Sequence, residues 1–398
     1  MLSVEQARNN ILAMLTPLGS EFVPLGEALG RVLAKDVVAR ESIPPFANSS
    51  MDGYAVRAEE TGRVPVRLPV AGDVPAGSAP GQVLPPGHVL RIMTGAPIPQ
   101  GADAVVPVEA TDDQRNSNAL PAQVTILAAP ETGANIRPAG QDVAPGQTVV
   151  RVGQVITPPV IGVLAALGVS RPQVARRPRV AVLSGGDELV EVEQVPGPGQ
   201  IRDLNGYALS ASLTSAGAVP VRLGIARDRL EAVRAQLQRA VGQGVDLVLS
   251  SAGVSVGGHD FIKSALDAEG ELGFWRVNMR PGKPLAVGRV RGIPFIGLPG
   301  NPVSALVGFE AFVRPAVARM LGQTWSPRAI QVAAGHAMST DGRESYVRVT
   351  LRDGRAYSTG AQTSNLITSL VRADALLIIP AGVKAVAAGE ALTAWLLN

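Results

Sequence analysis

The run Asp246-Leu-Val-Leu-Ser reads as a buried parallel strand that breaks into Ser251-Ala-Gly-Val-Ser-Val-Gly-Gly, ahead of a helix beginning near His259. A strand that stops in a glycine-rich turn and feeds a helix leaves backbone N–H groups facing one crevice, which suits an anion. Gly253, Gly257 and Gly258 allow positive φ and close approach, while Ser250, Ser251 and Ser255 add hydroxyls. One such loop is as readily a plain βα connection. Similar turns recur, however: Arg179-Val-Ala-Val-Leu leads into Ser184-Gly-Gly-Asp-Glu-Leu, and Ile293-Pro-Phe-Ile-Gly-Leu into Pro299-Gly-Asn-Pro-Val-Ser. Ligands of open parallel sheets bind outside the carboxyl ends of the strands, so three such turns predict one cleft.

Two further groups could do chemistry there. Asp52, Asp142, Asp187, Glu188, Asp228 and Asp260 are carboxylates in turns, the oxygen donors that a hard ion such as magnesium takes together with substrate phosphate. Each alone is more often a solvated turn residue, and Asp228 also reads as a helix N-cap. Glu188 and Asp260 stand out because each follows an anion-cradling turn. The cationic group is Arg276-Val-Asn-Met-Arg-Pro-Gly-Lys-Pro, where prolines stiffen a segment carrying Arg276, Arg280 and Lys283. Ser304, in the first turn of a helix, could offer a donor; Arg348 and Ser364 lie further on. No Walker A lysine, dinucleotide fingerprint or Ser-His-Asp order occurs in suitable context. The pattern implies anion positioning and metal-assisted phosphate or oxyanion transfer without a protein nucleophile.

Composition narrows the field. The chain has 398 residues, 46% apolar and 17% charged, which fits a multidomain globular protein. A net charge of +3 with scattered basic residues is no nucleic-acid signature. The absence of cysteine removes disulfides, thiolate nucleophiles and thiolate metal sites, and three separated histidines make no metal cluster. No leader pattern or membrane-length apolar run appears, so the cytoplasm is the expected compartment and no membrane partner is expected.

The elements that must position these residues follow in order. Ser3 and Gln6 form a capping box ahead of Val4, Ala7, Ile11 and Met14 at helical spacing, and residues 25–34 form a second amphipathic segment. Residues 1–44 and 143–177 make a helical scaffold, the second part containing a helix capped by Thr157-Pro-Pro and ended by Gly168. Between them, residues 45–142 form a β-rich insert whose loops carry Asp52, Arg137 and Asp142. Residues 178–325 alternate strand and helix, with strands at 179–183, 219–225, 245–250 and 293–298, and define an α/β three-layer domain. In its helix after Asp228, Leu230, Val233, Leu237 and Val241 form the apolar stripe. Residues 326–398 close the chain as a small β-barrel or sandwich with an Asp353-Gly354 hairpin.

In order and at matching spacing, PFANSSMDGYAV, MTGAPIPQGAD, GANIRPAGQD, SGGDEL, SSAGVSVGGHD, MRPGKP, GLPGNPVSA and GRESYVRVTL resemble the molybdopterin molybdenumtransferases, the MoeA and gephyrin E-domain family. The resemblance covers almost the whole chain. It implies a homodimer of elongated four-domain subunits that, without ATP, inserts molybdate into adenylylated molybdopterin and releases AMP with magnesium assisting. Possible protein partners are a molybdopterin adenylyltransferase and apo-molybdoenzymes. By motif, Asp52, Asp142, Glu188, Asp228 and Asp260 would be catalytic, Glu188 and Asp260 on the metal. Thr94, Arg137, Ser251, Gly253, Ser255, Gly257, Arg276, Pro299 and Asn301 would bind the pterin nucleotide. Arg280, Lys283, Ser304, Arg348 and Ser364 would bind molybdate. Three departures bear on geometry: arginine at 276 and 280 where some members carry lysine, no threonine in Ser184-Gly185-Gly186, and Ala252 for a common glycine. The competing readings are a non-catalytic molybdopterin carrier or scaffold and a molybdopterin adenylyltransferase.

Overall fold

The computed structural model describes residues 1–113, 119–251 and 270–397, with backbone alone at 270–272 and 274. Gly253, Ser255, Gly257, Asp260 and the helix expected near His259 lie outside the described residues. The chain divides into two compact units, one of residues 1–34, 153–156 and 172–398, the other of residues 35–152 and 157–171.

The larger unit is built on a six-stranded sheet in the spatial order Val219–Ala226, Arg179–Gly185, Leu247–Ser251, Ile293–Leu298, Pro284–Val290, Gly270–Arg276. The first four strands run parallel and the last two are antiparallel to their neighbours. The sheet is therefore mixed, whereas the sequence pattern gave only its parallel half; the 270–290 hairpin is an antiparallel edge of the kind common on such sheets. Side-chain alternation makes two cores. Ala181, Leu183, Val248 and Phe295 face Val233, Leu237 and Ala240 of the helix Leu230–Gly242. Val180, Val182, Leu247, Leu249 and Ile296 face the helices Leu204–Ser215 and Pro302–Met320, the latter interrupted by a π-helical turn at Phe309–Val313. Three layers result. The helix Val4–Ala13, begun by the expected capping box, packs into this second core through Val4, Ala7 and Ile11.

Local details differ from expectation where caps were inferred from residue type alone. Residues 25–34 yield only a 3₁₀ turn at Leu25–Glu27. The helix after Asp228 takes Arg229 as N-cap, and Ala240 rather than half-buried Val241 completes its stripe. Thr157 precedes the helix Pro158–Ala166 without a side-chain capping bond. The C-terminal strands Ala329–Ala334, Glu344–Arg352, Arg355–Ser358, Ala375–Ile379 and Ala391–Leu396 close into a barrel because Glu344–Arg352 pairs both with Arg355–Ser358 and with Ala375–Ile379. Asp353 and Gly354 both take positive φ, 50° and 71°, as the tight hairpin requires.

The smaller unit carries a five-stranded sheet ordered Ala104–Pro107, Gly53–Val56, Val89–Ile92, Val66–Val74, Gln123–Ile126. Gly53–Val56 is wholly buried, with Tyr54 and Val56 in one apolar cluster and Ala55 in the other. Gly53 must be glycine, because a Cβ there would lie 2.0 Å from the Val106 carbonyl oxygen. Gly53→Ala should cost about 1–3 kcal/mol or more. Gly62→Ala, whose Cβ would meet only the Glu59 carbonyl at 3.6 Å, is the control. Equal urea midpoints for the two variants would contradict the close approach.

Candidate functional site

The parallel register decides where the polar turns go. Ser184 pairs with Ser251, Ser251 with Leu298, and Gly185 with Ala226, so the strands end level. Their turns line one pocket of about 80 Å³ that includes Gly185, Glu188, Asp203, Asn205, Ser251 and Gly300. The expectation that three turns share a cleft is thus met by the described parts of those turns. Glu188 lies exposed, its carboxylate folded against Gly186, where a Cβ would come within 2.5 Å of Oε2. Asp228 is exposed beside the same turn, its backbone N–H donating to Asp187 Oδ1 at 3.2 Å. Pro299 is buried, and Asn301 is the exposed N-cap of the Pro302 helix, without a side-chain cap bond.

The segment that carries the cationic residues runs from the sheet to the barrel. Met279–Arg280 adds in parallel to Glu344–Ser345, which joins the MRPGKP turn to the barrel. Arg280 and Arg348 then line a second pocket, about 200 Å³, with Ser345, Thr340, His336 and Gln362. Lys283 accepts the Val277 N–H at its carbonyl, and Arg276 sits across the hairpin opposite Pro284. A Cβ on Gly282 would lie 3.6 Å from the Ser304 carbonyl, and Val303 N–H donates to the Ser364 carbonyl at 3.0 Å. Of the five residues expected at molybdate, Arg280 and Arg348 line this pocket, whereas Lys283, Ser304 and Ser364 lie in the same unit without being among its lining residues.

Arg348 is 1% exposed. Its Nε donates to Ser369 Oγ, its Nη1 to the Gln362 carbonyl and its Nη2 to those of Ala361 and Thr363. Among the described residues no carboxylate pairs with it. Burial, and secondarily the Arg280 charge, pulls its pKa down to about 10. It remains a cation at neutral pH, so the pocket holds a buried positive charge that an anion would compensate. One carboxylate competes nearby. Asp341 Oδ2 stands 3.6 Å from Arg280 Nη1 and is held by the Arg343 guanidinium, which lowers the Asp341 pKa to about 2.

In the smaller unit Asp52 Oδ1 accepts from both the N–H and the hydroxyl of Thr94, at 2.6 and 2.7 Å. The loop bearing Asp52 is laced to its neighbours: Ser49 N–H to Ala96, Gly95 N–H to Ser49, Ser50 N–H to Asn135. Asn48 pairs with Arg137, and Asp142 N–H donates to the Ile43 carbonyl, with Arg137 and Asp142 both exposed. All four predicted residues lie in the smaller unit, and of them Asp52 and Thr94 are in direct contact.

Sequence reasoning missed Asp203, Asn205, Ser345, Gln362 and Asp341. Asp203 had a signal, since Asp203-Leu-Asn-Gly opens a helix and its side chain caps the Gly206 N–H. The others come together only through strand pairing.

Fold and pockets define a multidomain α/β and β-barrel protein with an anion-seeking pocket beside a sheet-edge ligand cleft. Residues 2–168 match the MoeA N-terminal region (domain I and II), 181–319 a probable molybdopterin binding domain, and 332–397 the MoeA C-terminal region (domain IV). The chain is similar to molybdopterin molybdenumtransferase 2 of Mycobacterium tuberculosis, 42% identical with 99% of each chain covered. It is also similar to the molybdopterin molybdenumtransferase of Haemophilus influenzae, 36% identical over 99% of this chain and 98% of that one. Among solved structures, a molybdopterin biosynthesis MoeA protein from Pyrococcus horikoshii matches with TM-score 0.86 at 28% identity, covering 100% of both chains. The chain belongs to the MoeA family of molybdopterin molybdenumtransferases.

Removing the competing carboxylate should strengthen oxyanion binding. Asp341→Asn is expected to tighten molybdate by about two- to fivefold in calorimetric titration. A carboxylate whose pKa is depressed to about 2 stays charged above that value, so the gain should be constant from about pH 5 to 9. Unchanged or weaker binding would show that Asp341 does not oppose the anion.

Proposed function

We propose that this protein inserts molybdenum into molybdopterin, taking adenylylated molybdopterin and molybdate as substrates and releasing AMP without using ATP. The observation that carries the reading is the buried Arg348, which among the described residues pairs with no carboxylate and which lines a pocket together with Arg280. Molybdate is a tetrahedral dianion that needs several fixed donors; Arg280 lines the pocket with Arg348, and Lys283, Ser304 and Ser364 are the further donors that the motifs assign to it. Arg348 already uses most of its N–H groups on the 361–363 carbonyls, so its part is to fix that loop and supply field. The turns at Glu188, Ser251, Pro299 and Asn301 take the pterin nucleotide, with Arg276 and Asp228 at the margins. Asp52, Thr94, Arg137 and Asp142 serve the reaction as the family motifs assign them, and the working form is a cytoplasmic homodimer. The domains are those of the sequence reading: scaffold 1–44 and 143–177, insert 45–142, α/β domain 178–325 and barrel 326–398.

Magnesium is the implied metal. Among the described residues no three His, Cys, Asp or Glu side chains group as a metal site. The sheet-edge pocket is nevertheless lined by oxygen donors, including exposed Glu188, which fits an ion held partly by substrate phosphate. Glu188, with Asp260 as the second ligand by motif, would hold it, and the ion would neutralise phosphate charge as the anhydride is cleaved. Among the described residues no helix is long and apolar enough to cross a membrane.

The test is incubation of purified protein with adenylylated molybdopterin, molybdate and magnesium, scored by AMP and by reconstitution of an apo-molybdoenzyme. No AMP and no active cofactor would overturn the reading. Lys283→Ala, removing a charge-assisted donor, should lower turnover by at least about tenfold at subsaturating molybdate, with partial recovery at high molybdate. A loss that molybdate does not relieve would place Lys283 elsewhere.

A further inference from the structure

The sheet-edge pocket contains three buried polar atoms with no hydrogen-bond partner: Asp203 Oδ2, Asn205 Oδ1 and Ser251 Oγ. Asp203 and Ser251 are each 2% exposed. Buried polar atoms are almost always paired, so three in one cavity call for a ligand. Their roles are fixed by the bonds their neighbours make. Asp203 Oδ1 caps the Gly206 N–H at 2.8 Å, which leaves Oδ2 without a hydrogen bond, its nearest cation being Arg222 Nη2 at 3.6 Å. Asn205 Nδ2 donates to the Gly300 carbonyl at 2.7 Å, which orients the amide so that its oxygen is the unpaired atom. Behind them, Gly206 allows the carboxylate to lie against the sheet, since a Cβ there would be 2.3 Å from Asp203 Oδ2 and 2.8 Å from Ser184 Oγ.

The unmet pattern is therefore acceptor, acceptor, and a hydroxyl free to donate. We infer that Asp203, Asn205 and Ser251 read the 2-amino-4-oxo edge of the pterin ring. The ring N3–H and the 2-amino group donate to Asp203 Oδ2 and Asn205 Oδ1, and the Ser251 hydroxyl donates to the 4-oxo oxygen. This deepens the proposed function and rests on its claim that the cleft takes molybdopterin. Asp203 Oδ2 itself does not call for the metal ion proposed at Glu188, because Arg222 Nη2 already stands 3.6 Å from it. A cavity of about 80 Å³ takes a ring edge, not a whole nucleotide. A sugar diol would answer the two acceptors but bring no carbonyl to Ser251.

The experiment measures binding of 6-hydroxymethylpterin and of 6-hydroxymethyllumazine, in which the 2-amino group is replaced by oxo, to the full chain by ligand fluorescence. The pterin should bind at least about tenfold tighter, since a site built to accept from a donor rejects the analogue lacking it. Asp203→Asn keeps the helix-capping oxygen while removing the charge, and should erase most of that preference with unchanged far-UV circular dichroism. Ser251→Ala, which deletes only the hydroxyl, should weaken both ligands equally because both carry the 4-oxo group, and it decides the matter if Asp203→Asn does not fold. Equal binding of the two ligands by the unmodified protein, or a preference that survives Asp203→Asn, would overturn the inference. So would competitive displacement of the pterin by AMP with AMP affinity lost in Asp203→Asn. AMP release from the full substrate separates the two claims. Turnover without pterin preference overturns only this pocket assignment, whereas pterin preference without turnover supports the pocket and overturns the proposed activity.

Discussion

Level endings in a parallel sheet are the constraint on which the site depends. Parallel strands hydrogen-bond in a fixed register, and here the register sets Ser184 beside Ser251 and Ser251 beside Leu298. The described residues at the ends of these strands therefore lie at the same edge, and residues separated by more than a hundred positions line one cavity. A one-residue slip would also exchange the faces that fill the two cores, which makes the register costly to change. Stability and ligand geometry thus rest on the same backbone bonds.

A second constraint carries charge to that edge. The Met279–Arg280 segment leaves the sheet and joins the barrel at Glu344–Ser345. Its neighbour on the barrel, Arg348, is buried and bonded to the carbonyls of 361–363, and the same loop accepts the Val303 N–H through Ser364. Tyr346 and Leu376 extend the sheet's own core into the barrel. The positive pocket is therefore held between elements that share packing, which limits how far its donors can drift. Asp341 balances part of this charge from the exposed side.

The two pockets of the larger unit differ in polarity. The barrel side presents cations and hydroxyls, suited to a small dianion, while the sheet edge presents unpaired acceptors near a carboxylate, suited to a ligand that brings its own donors. Low local dielectric strengthens both, because neither the Arg348 charge nor the Asp203 oxygen can be satisfied by bulk water. Between them stands the start of the Pro302 helix, whose Gly300 carbonyl holds Asn205 on one side and whose Val303 N–H holds Ser364 on the other.

The sequence alone determined the local and periodic features. The capping box at Ser3, the four parallel strands and the Asp353-Gly354 hairpin were all legible, because each is set by residues near in the chain. The motif series also named Asp52 and Thr94, which the fold brings into hydrogen bond, and Arg280 and Arg348, which line one pocket. The tertiary structure decided what depends on distant pairing. The 270–290 hairpin, the joining of Arg280 to Ser345, the barrel closure and the burial of Arg348 carry no local signature, since a strand's pattern does not name its partner. Asp203 and Asn205 show the limit most plainly. Their helix-start spacing was readable, but only the packing of that helix against Gly300 and the sheet edge left their oxygens buried and unpaired.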